Sequence, residues 1–297
     1  MIIMAKAKPF IKWVGGKTQL IEQLDALLPS NFGNLENVTY IEPFIGGGAM
    51  LFYMLQQYPN IRHAVINDVN PDLTTCYQTI KDNPEELIVS LQNIQNAYNA
   101  LPSEEARKDF FLSVRNRYNE KNLDSIENTT KFFFLNRTCF NGLYRVNKKG
   151  QFNVPMGAYK NPTICDENNL HNVSEALQNV TIVCGDYSLS KDFIDKDTFV
   201  YLDPPYRPIS ETAGFTAYNA DCFDDNEQIR LARFIDEINL SGAKIMLSNS
   251  DPQNVNPEDT FFEDLYKAYT INKVDATRAI NSKGDSRGKI KELLICN

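Results

Sequence analysis

The chain has 297 residues, of which 42% are hydrophobic and 23% charged, as in an ordinary globular protein with one large core and room for a smaller domain. No stretch approaches the roughly 18 consecutive apolar residues of a membrane span, and the N-terminus lacks a signal-peptide pattern, so we expect a cytoplasmic protein. The formal net charge of -8 by itself disfavours a nucleic-acid partner, because contacts to phosphate need Lys and Arg.

The N-terminal part of the chain alternates between helix and strand patterns. An apolar stripe at helical spacing runs from Leu20 to Leu28 and ends at Pro29. It is followed by a strand, a glycine-rich turn, an apolar helix and a second strand, over residues 38–42, 43–48, 49–55 and 63–68. This order predicts a strand, turn, helix and strand unit whose second strand ends in an acid, Asp68.

The middle of the chain has a different pattern. From Pro71 to about Phe140 the apolar residues recur at helical spacing, and no convincing strand is present. Residues 140–157 then alternate around NKKG, as in a β-hairpin with a glycine-containing turn. We therefore predict that residues 71–170 form a helical and hairpin domain, inserted into an α/β domain of residues 1–70 and 171–297.

The last part of the chain returns to strand patterns. Four apolar runs carry polar residues at or near their ends, over residues 180–186, 198–206, 243–250 and 292–296. Between the second and third runs lies a helix with one apolar face, formed by Leu231, Phe234, Ile235 and Ile238. Continuous apolar runs are typical of strands covered on both faces. We predict a mainly parallel α/β sheet with ligands at the carboxyl ends of its strands.

Charge is segregated along the chain. Between Asn128 and Cys165 there is no Asp or Glu, and six basic residues are present: Lys131, Arg137, Arg145, Lys148, Lys149 and Lys160. Taking these six positive charges from the net charge of -8 leaves -14 for the rest. A basic segment on an acidic body suits a local anionic ligand, and a solvated basic loop is the alternative. Charge alone does not decide between them.

The cysteines and histidines disfavour a metal site. The six cysteines are far apart in sequence, which excludes the close spacing of zinc and redox motifs, and the chain has only two histidines. We expect reduced, mostly buried thiols and no metal.

The GGKT segment, residues 15–18, superficially resembles a phosphate-binding loop. The Walker pattern needs a further glycine where Ile11 stands, so an ATPase or GTPase is disfavoured. What remains is a turn into a helix N-terminus, at which backbone N–H groups and Lys17 could hold a carboxylate or a phosphate.

The glycine-rich turn PFIGGG, residues 43–48, indicates a nucleoside cofactor. Glycines allow the backbone to approach a nucleoside closely, and Asp68 follows Gly48 by 20 residues, where an acid can accept hydrogen bonds from ribose hydroxyls. A purely structural turn is the alternative. The spacing does not distinguish a dinucleotide from S-adenosylmethionine.

The tetrapeptide DPPY, residues 203–206, favours a methyltransferase. Two prolines after an apolar strand fix the backbone, so that the Asp203 carboxylate and the Pro204 carbonyl can both accept hydrogens from one exocyclic amino group. The ring of Tyr206 offers a face on which a base can stack. A proline-rich turn that caps a strand is the alternative.

Over nearly its whole length the chain resembles the Dam-type family of DNA adenine methyltransferases. The matching blocks are KWVGGK (12–17), IEPFIGGGA (41–49), INDVN (66–70), FNGLYRVNKKGQFNVPMG (140–157), FVYLDPPYRPISETAGFTAY (199–218), MLSNS (246–250) and ATRAINSKGDSRGKIKELL (276–294). Their order is that of the alpha class of amino-methyltransferases. The resemblance implies a Rossmann-like α/β sheet of the S-adenosylmethionine-dependent methyltransferases with an inserted helical and β-hairpin DNA-recognition domain.

The resemblance also implies roles for individual residues. S-adenosylmethionine would be contacted by Trp13, Lys17, Asp68 and Asp203, with its methionine portion beside Gly46, Gly47 and Gly48. The target adenine would be held by Asp203, Pro204 and Tyr206. The DNA duplex would be entered, read or bound by Lys12, Phe140, Asn141, Leu143, Arg145, Lys148 and Lys149. Core packing or simple solvation is the alternative for each of them.

The expected activity is methylation of adenine N6 in double-stranded DNA, at GATC as in the family, after the base has been flipped out. A cognate restriction endonuclease is an expected functional partner if the enzyme belongs to a restriction-modification system. Cytosine-C5 chemistry is disfavoured because no cysteine follows a proline. The remaining alternatives are an amino-methyltransferase acting on cytosine N4 or on RNA, and a non-catalytic DNA-binding protein with the same fold.

Overall fold

The computed structural model describes residues 6–207, 223–277 and 289–297. Its strands are β1 (Val38–Glu42), β2 (Ile61–Asp68), β3 (Val180–Cys184), β4 (Thr198–Leu202), β5 (Lys244–Ser250), β6 (Thr270–Thr277) and β7 (Lys289–Cys296). They form one sheet in the order β3-β2-β1-β4-β5-β7-β6. β1 pairs in parallel with β2 and β4, and β4 pairs in parallel with β5. β7 runs antiparallel to both β5 and β6.

The α-helices within the described residues are α1 (Ile21–Asp25), α2 (Ala49–Gln57), α3 (Pro71–Asp82), α4 (Pro84–Asn99), α5 (Glu104–Asn119), α6 (Ser125–Thr138), α7 (Glu167–Ala176), α8 (Asp225–Asn239) and α9 (Phe261–Leu265). The start of α3 follows from its sequence. The Asn70 side chain accepts hydrogen bonds from the N–H groups of Asp72 and Leu73, and Pro71 occupies the first turn. None of the helices in these ranges is long and apolar enough to cross a membrane.

The α/β class and most of the predicted elements are confirmed. The apolar runs correspond to β1 to β5 and β7, and the predicted apolar face of α8 is buried. The helix predicted over Leu20 to Leu28 is shorter, at Ile21–Asp25. β6 was not predicted, because it lacks the continuous apolar run by which the other strands were recognised, and its alternation of exposed charges with buried residues extends over only a few positions. The mainly parallel sheet also ends in an antiparallel pair.

The chain divides into two compact units. The first comprises Met1–Gly16, Gly46–Gln56 and Asn70–Cys184. Its core is rich in aromatic residues, among them the three consecutive buried residues Phe132, Phe133 and Phe134 of α6. The second comprises Lys17–Ile45, Gln57–Val69 and Gly185–Asn297, and its core is built on the buried strands β1, β4 and β5.

The described cysteines have free thiols, but only Cys76 and Cys139 are buried. Cys165 and Cys296 are half-buried and Cys184 is exposed, so the prediction of mostly buried thiols holds only in part. Cys222 lies outside the described residues, as do residues 208–218 of the block that contains DPPY and residues 278–288 of the block 276–294.

Candidate active site

The DPPY segment begins where β4 leaves the sheet. All five residues of β4 are buried between β1 and β5, and Asp203 is the next residue after the strand. Its Oδ1 accepts a hydrogen bond of 2.8 Å from Ser248 Oγ on the neighbouring strand β5. The Tyr201 hydroxyl lies 3.3 Å from the same Ser248 oxygen. The carboxylate is thus fixed at the carboxyl edge of the sheet, where a ligand was predicted to bind.

Lys17 brings the DPPY segment together with a second acid, Glu292 of β7. The Lys17 side chain is only 8% exposed, and its Nζ lies 3.1 Å from Asp203 Oδ1 and 3.5 Å from Glu292 Oε2. Nζ also donates to the Tyr206 hydroxyl and lies 4.2 Å from the centre of that ring. The Tyr206 hydroxyl in turn donates to Glu292 Oε2 over 2.5 Å. We call these four residues the Lys17 cluster.

The Lys17 cluster places one ammonium group beside two carboxyl groups. Burial raises the pKa of Asp203, although the Lys17 charge and the Ser248 hydrogen bond act in the opposite direction. Burial, with the nearby Asp203 and Glu292 carboxylates, also raises the pKa of Tyr206 well above its usual value. Tyr206 is therefore a neutral hydrogen-bond donor at neutral pH. With both acids ionised the cluster carries an excess negative charge, which suits a cationic ligand.

Asp68 ends β2, which is parallel to β1. Its backbone carbonyl accepts the N–H of Gly185 over 3.0 Å, and its side chain is half-buried. The preceding residue, Asn67, is buried and donates from Nδ2 to the carbonyls of Pro43 and Gly185. The end of β2 is thus tied to the start of the PFIGGG turn.

In the first unit, Trp13 packs against the glycines of that turn. Gly46 and Gly48 have φ of +47° and +73°, a region that side chains rarely adopt. A Cβ on Gly46 would lie 2.9 Å from Trp13 Cδ1, and one on Gly48 would lie 2.5 Å from the Tyr77 hydroxyl. A Cβ on Gly47 would lie 3.2 Å from Trp13 Cβ. The turn therefore needs glycine for both conformation and space.

The predicted hairpin is present in the first unit as two antiparallel bridges, Cys139 with Met156 and Val146 with Phe152. A short 3-10 turn, Phe140–Gly142, lies in the first arm of the hairpin between these two bridges and contains Asn141 at φ +55°. The Phe140 side chain is 53% exposed, directly after the buried end of α6. About half of the surface of this aromatic side chain is therefore open to solvent and to a ligand.

Lys12 lies beside this turn. The buried side chain of Asn136 accepts from the Lys12 N–H over 2.9 Å and donates to the carbonyls of Lys12 and Gly142. Lys12 is exposed, and its Nζ donates to the Tyr159 hydroxyl over 3.1 Å. Asn136 was not singled out in the sequence, because the partners of a buried amide are distant along the chain.

The basic segment presents four of its six cations to solvent. Arg145, Lys148, Lys149 and Lys160 are exposed. Lys131 instead pairs with Glu127 at 3.2 Å. Arg137 donates to the Phe10 carbonyl over 2.6 Å, and burial lowers its pKa. The exposed positive charge of this segment is therefore concentrated on and beside the hairpin, where Leu143, two residues before Arg145, is half-buried.

The predicted cofactor residues divide between the two units. Trp13, Gly46, Gly47 and Gly48 belong to the first, and Lys17, Asp68 and Asp203 belong to the second. The structure adds Ser248 and Glu292 to the surroundings of Asp203. Ser248 lies in the SNS segment that ends β5, and ligands were predicted to bind at such polar carboxyl ends of the strands.

The known proteins that this chain is similar to are DNA methyltransferases. A family model described as D12 class N6 adenine-specific DNA methyltransferase matches residues 13–280. The type II methyltransferase M.MjaIII of Methanocaldococcus jannaschii is 48% identical over 297 residues, covering 98% of this chain and 99% of that protein. M1.LlaDCHI of Lactococcus lactis subsp. cremoris, also a type II methyltransferase, is 39% identical, with 98% and 95% covered. A DNA adenine methylase of Vibrio cholerae is 33% identical, with 98% and 96% covered.

Proposed function

Because this chain belongs to the D12 class of N6 adenine-specific DNA methyltransferases, we propose that it methylates a flipped adenine within GATC in double-stranded DNA. The observation that carries the proposal is the Asp203 carboxylate, which β4, Ser248 and Lys17 hold at the carboxyl edge of the sheet. The adenine-specific match also disfavours the cytosine-N4, RNA and non-catalytic alternatives.

The family implies S-adenosylmethionine as the methyl donor, which supplies an electrophilic methyl group on a cationic sulfur. The residues present fit such a group. The Lys17 cluster combines one formal positive charge with two formal negative charges, which suits a cationic sulfur, and Trp13 lies directly against the Gly46 to Gly48 turn. We propose that Trp13, Lys17, Asp68 and Asp203 bind this cofactor, with Asp68 accepting from its ribose hydroxyls.

We propose that the target adenine is held by Asp203, Pro204 and Tyr206. Adenine N6 is a weak nucleophile because its lone pair is delocalised into the ring. Hydrogen bonds from N6 to the Asp203 carboxylate and the Pro204 carbonyl favour the positive charge that develops on this nitrogen as it attacks. The Tyr206 ring, fixed through its hydroxyl by Glu292, offers the base a stacking surface and would orient N6 toward a bound methyl donor. The transfer would leave S-adenosylhomocysteine and release one proton from N6, and it needs no covalent bond between the protein and the base.

We propose that residues 71–170 are the target-recognition domain, with residues 1–70 and 171–297 as the catalytic domain. The exposed ring of Phe140 supports insertion into the duplex, together with Asn141 and Leu143. Arg145 reads a guanine, Lys12 lies near an outer base, and Lys148 and Lys149 bind phosphate.

The experiment that tests the function is expression in a host without DNA methylation, followed by mapping of modified bases. N6-methyladenine confined to GATC supports the whole proposal. N6-methyladenine in another sequence overturns GATC but not the reaction. If no N6-methyladenine forms, the reaction itself is overturned.

Two of the relatives are called type II methyltransferases. We therefore infer that a restriction endonuclease of the same specificity is the functional partner, and that both act in the cytoplasm. The expected finding is an endonuclease that does not cleave DNA after this chain has methylated it.

Replacing Asp68 with Ala should weaken S-adenosylmethionine binding by about 1.5–3 kcal/mol, the usual loss for a charged hydrogen-bond partner. Asp197→Ala is a matched control, because Asp197 is exposed and precedes β4, at the opposite end of the strands from Asp68. Titration calorimetry of both variants measures the difference. Equal affinities in the two would remove Asp68 from the cofactor site.

As the pH is lowered, kcat/KM for methylation should begin to fall at a higher pH than it would if Asp203 had the ordinary pKa of an aspartate. Burial raises the pKa of Asp203 despite the neighbouring Lys17 charge. Since the ionised carboxylate is the form that accepts from N6, kcat/KM decreases as pH falls through this raised pKa. The profile of kcat/KM against pH measures the apparent pKa of this acid limb. An acid limb at the ordinary aspartate value would contradict the raised pKa of Asp203, and the absence of any acid limb in this region would contradict its role as an ionised acceptor.

A further inference from the structure

We infer that Asp72 is a positioning residue for base reading, because its carboxylate fixes Tyr144, the residue between Leu143 and Arg145. The inference rests on the proposed function, since it assigns to the proposed recognition hairpin the contact that sets its specificity. Asp72 has no part in the methyl transfer described above.

The Asp72 carboxylate collects four hydrogen bonds within the first unit. It accepts from the Tyr118 hydroxyl at 2.6 Å, Lys121 Nζ at 2.8 Å, the Tyr144 hydroxyl at 3.0 Å and Asn128 Nδ2 at 3.4 Å. Its side chain is 13% exposed. Burial alone would raise the pKa of Asp72, but the hydrogen bonds from Lys121, Tyr118 and Tyr144 outweigh burial and lower it. The acceptor therefore stays charged at neutral pH.

The ring of Tyr144 is held as firmly as its hydroxyl. Its centre lies 5.6 Å from the Trp13 ring at an interplanar angle of 28°, 5.5 Å from Phe132 and 6.0 Å from Phe152. The Tyr144 side chain is thus fixed at its hydroxyl by the Asp72 carboxylate and at its ring by three aromatic side chains.

Fixing Tyr144 fixes the direction of Arg145. Side chains of neighbouring residues in an extended segment point to opposite faces. Tyr144 is half-buried and Arg145 is exposed, with Nε donating to Asn153 Oδ1 over 2.7 Å. Bidentate contact with a base needs a placement good to about 0.5 Å, whereas a phosphate tolerates several arrangements of a cation. A looser Tyr144 should therefore harm base discrimination more than DNA binding.

The chain offers a matched pair of variants to test this. Tyr144→Phe and Tyr118→Phe each remove one hydroxyl that donates to the same oxygen, Oδ2 of Asp72, and each keeps its ring. Only Tyr144 lies in the hairpin. The measurement is the ratio of kcat/KM on the cognate site to that on a site altered at the base assigned to Arg145.

Tyr144→Phe should lower this ratio by about fivefold or more, the factor produced by losing one hydrogen bond of ordinary net strength. Tyr118→Phe should leave it within about twofold, even where both variants lose similar thermal stability. Added to Arg145→Ala, Tyr144→Phe should lower the ratio no further, because its effect passes through Arg145.

Equal ratios in the two tyrosine variants, or an additive effect in the Arg145→Ala background, would overturn the inference. Failure of the proposed function is seen separately, because the wild-type protein would then form no N6-methyladenine. If the wild-type site is not GATC, the same ratio is measured on the site that is found.

Discussion

Replacing Asp203 with Ala is expected to reduce kcat for methyl transfer by roughly 100- to 1000-fold, the usual loss when one group that stabilises transition-state charge is removed. The residue follows a strand end, and Lys17 keeps Glu292 as a partner when Asp203 is replaced, so the fold should survive. Single-turnover methylation measures the rate, and thermal unfolding checks the fold. A variant with near-normal turnover would remove Asp203 from the proposed mechanism.

Glu292→Ala is the matched control for this substitution. Both carboxylates lie near Lys17 Nζ, at 3.1 Å for Asp203 and 3.5 Å for Glu292, and both are mostly buried. Glu292 orients Tyr206 but is not assigned to N6, so its loss should cost only about tenfold, as for one hydrogen bond to a charged group. Equal losses of kcat in the two variants would mean that either acid serves only to pair with Lys17, and that Asp203 has no special role as the acceptor for N6.

The sequence predicted where Asp203 lies but not what surrounds it. A continuous apolar run followed by Asp-Pro-Pro marks the end of a buried strand, and β4 ends at Leu202 as expected. Glu292 could not be assigned in this way, because the run that contains it was read as one more strand of a mainly parallel sheet. β7 is antiparallel to β5 and pairs Glu292 with Ser250, so its beginning lies at the edge where the parallel strands end.

Lys17 illustrates a second limit of the sequence. The GGKT turn indicated a cation that holds a carboxylate or a phosphate, and Nζ contacts two carboxylates that belong to the protein itself. The contact between Asp72 and Tyr144 spans 72 residues and depends on how α3 and the hairpin pack. Helical spacing predicts that such elements exist, but it carries no information on which polar groups meet between them.

Replacing Arg145 with Ala is expected to cost about 1–3 kcal/mol at the guanine of the site and to relax discrimination at that base. A guanidinium can donate two hydrogen bonds to guanine O6 and N7 in the major groove, and no other base edge offers this pair of acceptors. The hydrogen bond from Nε to Asn153 and the fixed side chain of the preceding Tyr144 together set the direction of the group on the exposed face of the hairpin. Methylation rates on GATC and on its single-base variants measure the change.

Lys148→Ala is the control, because Lys148 is also an exposed cation of the hairpin, but lies in its turn. If Lys148 contacts only phosphate, its loss weakens binding to all DNA alike and makes binding less dependent on salt. The two substitutions remove the same charge, but Arg145→Ala should alter base discrimination whereas Lys148→Ala should alter only the strength of DNA binding. An Arg145 variant that loses activity equally on every site would show that this residue binds phosphate or supports the hairpin, and base reading would then have to be assigned to another residue of the segment.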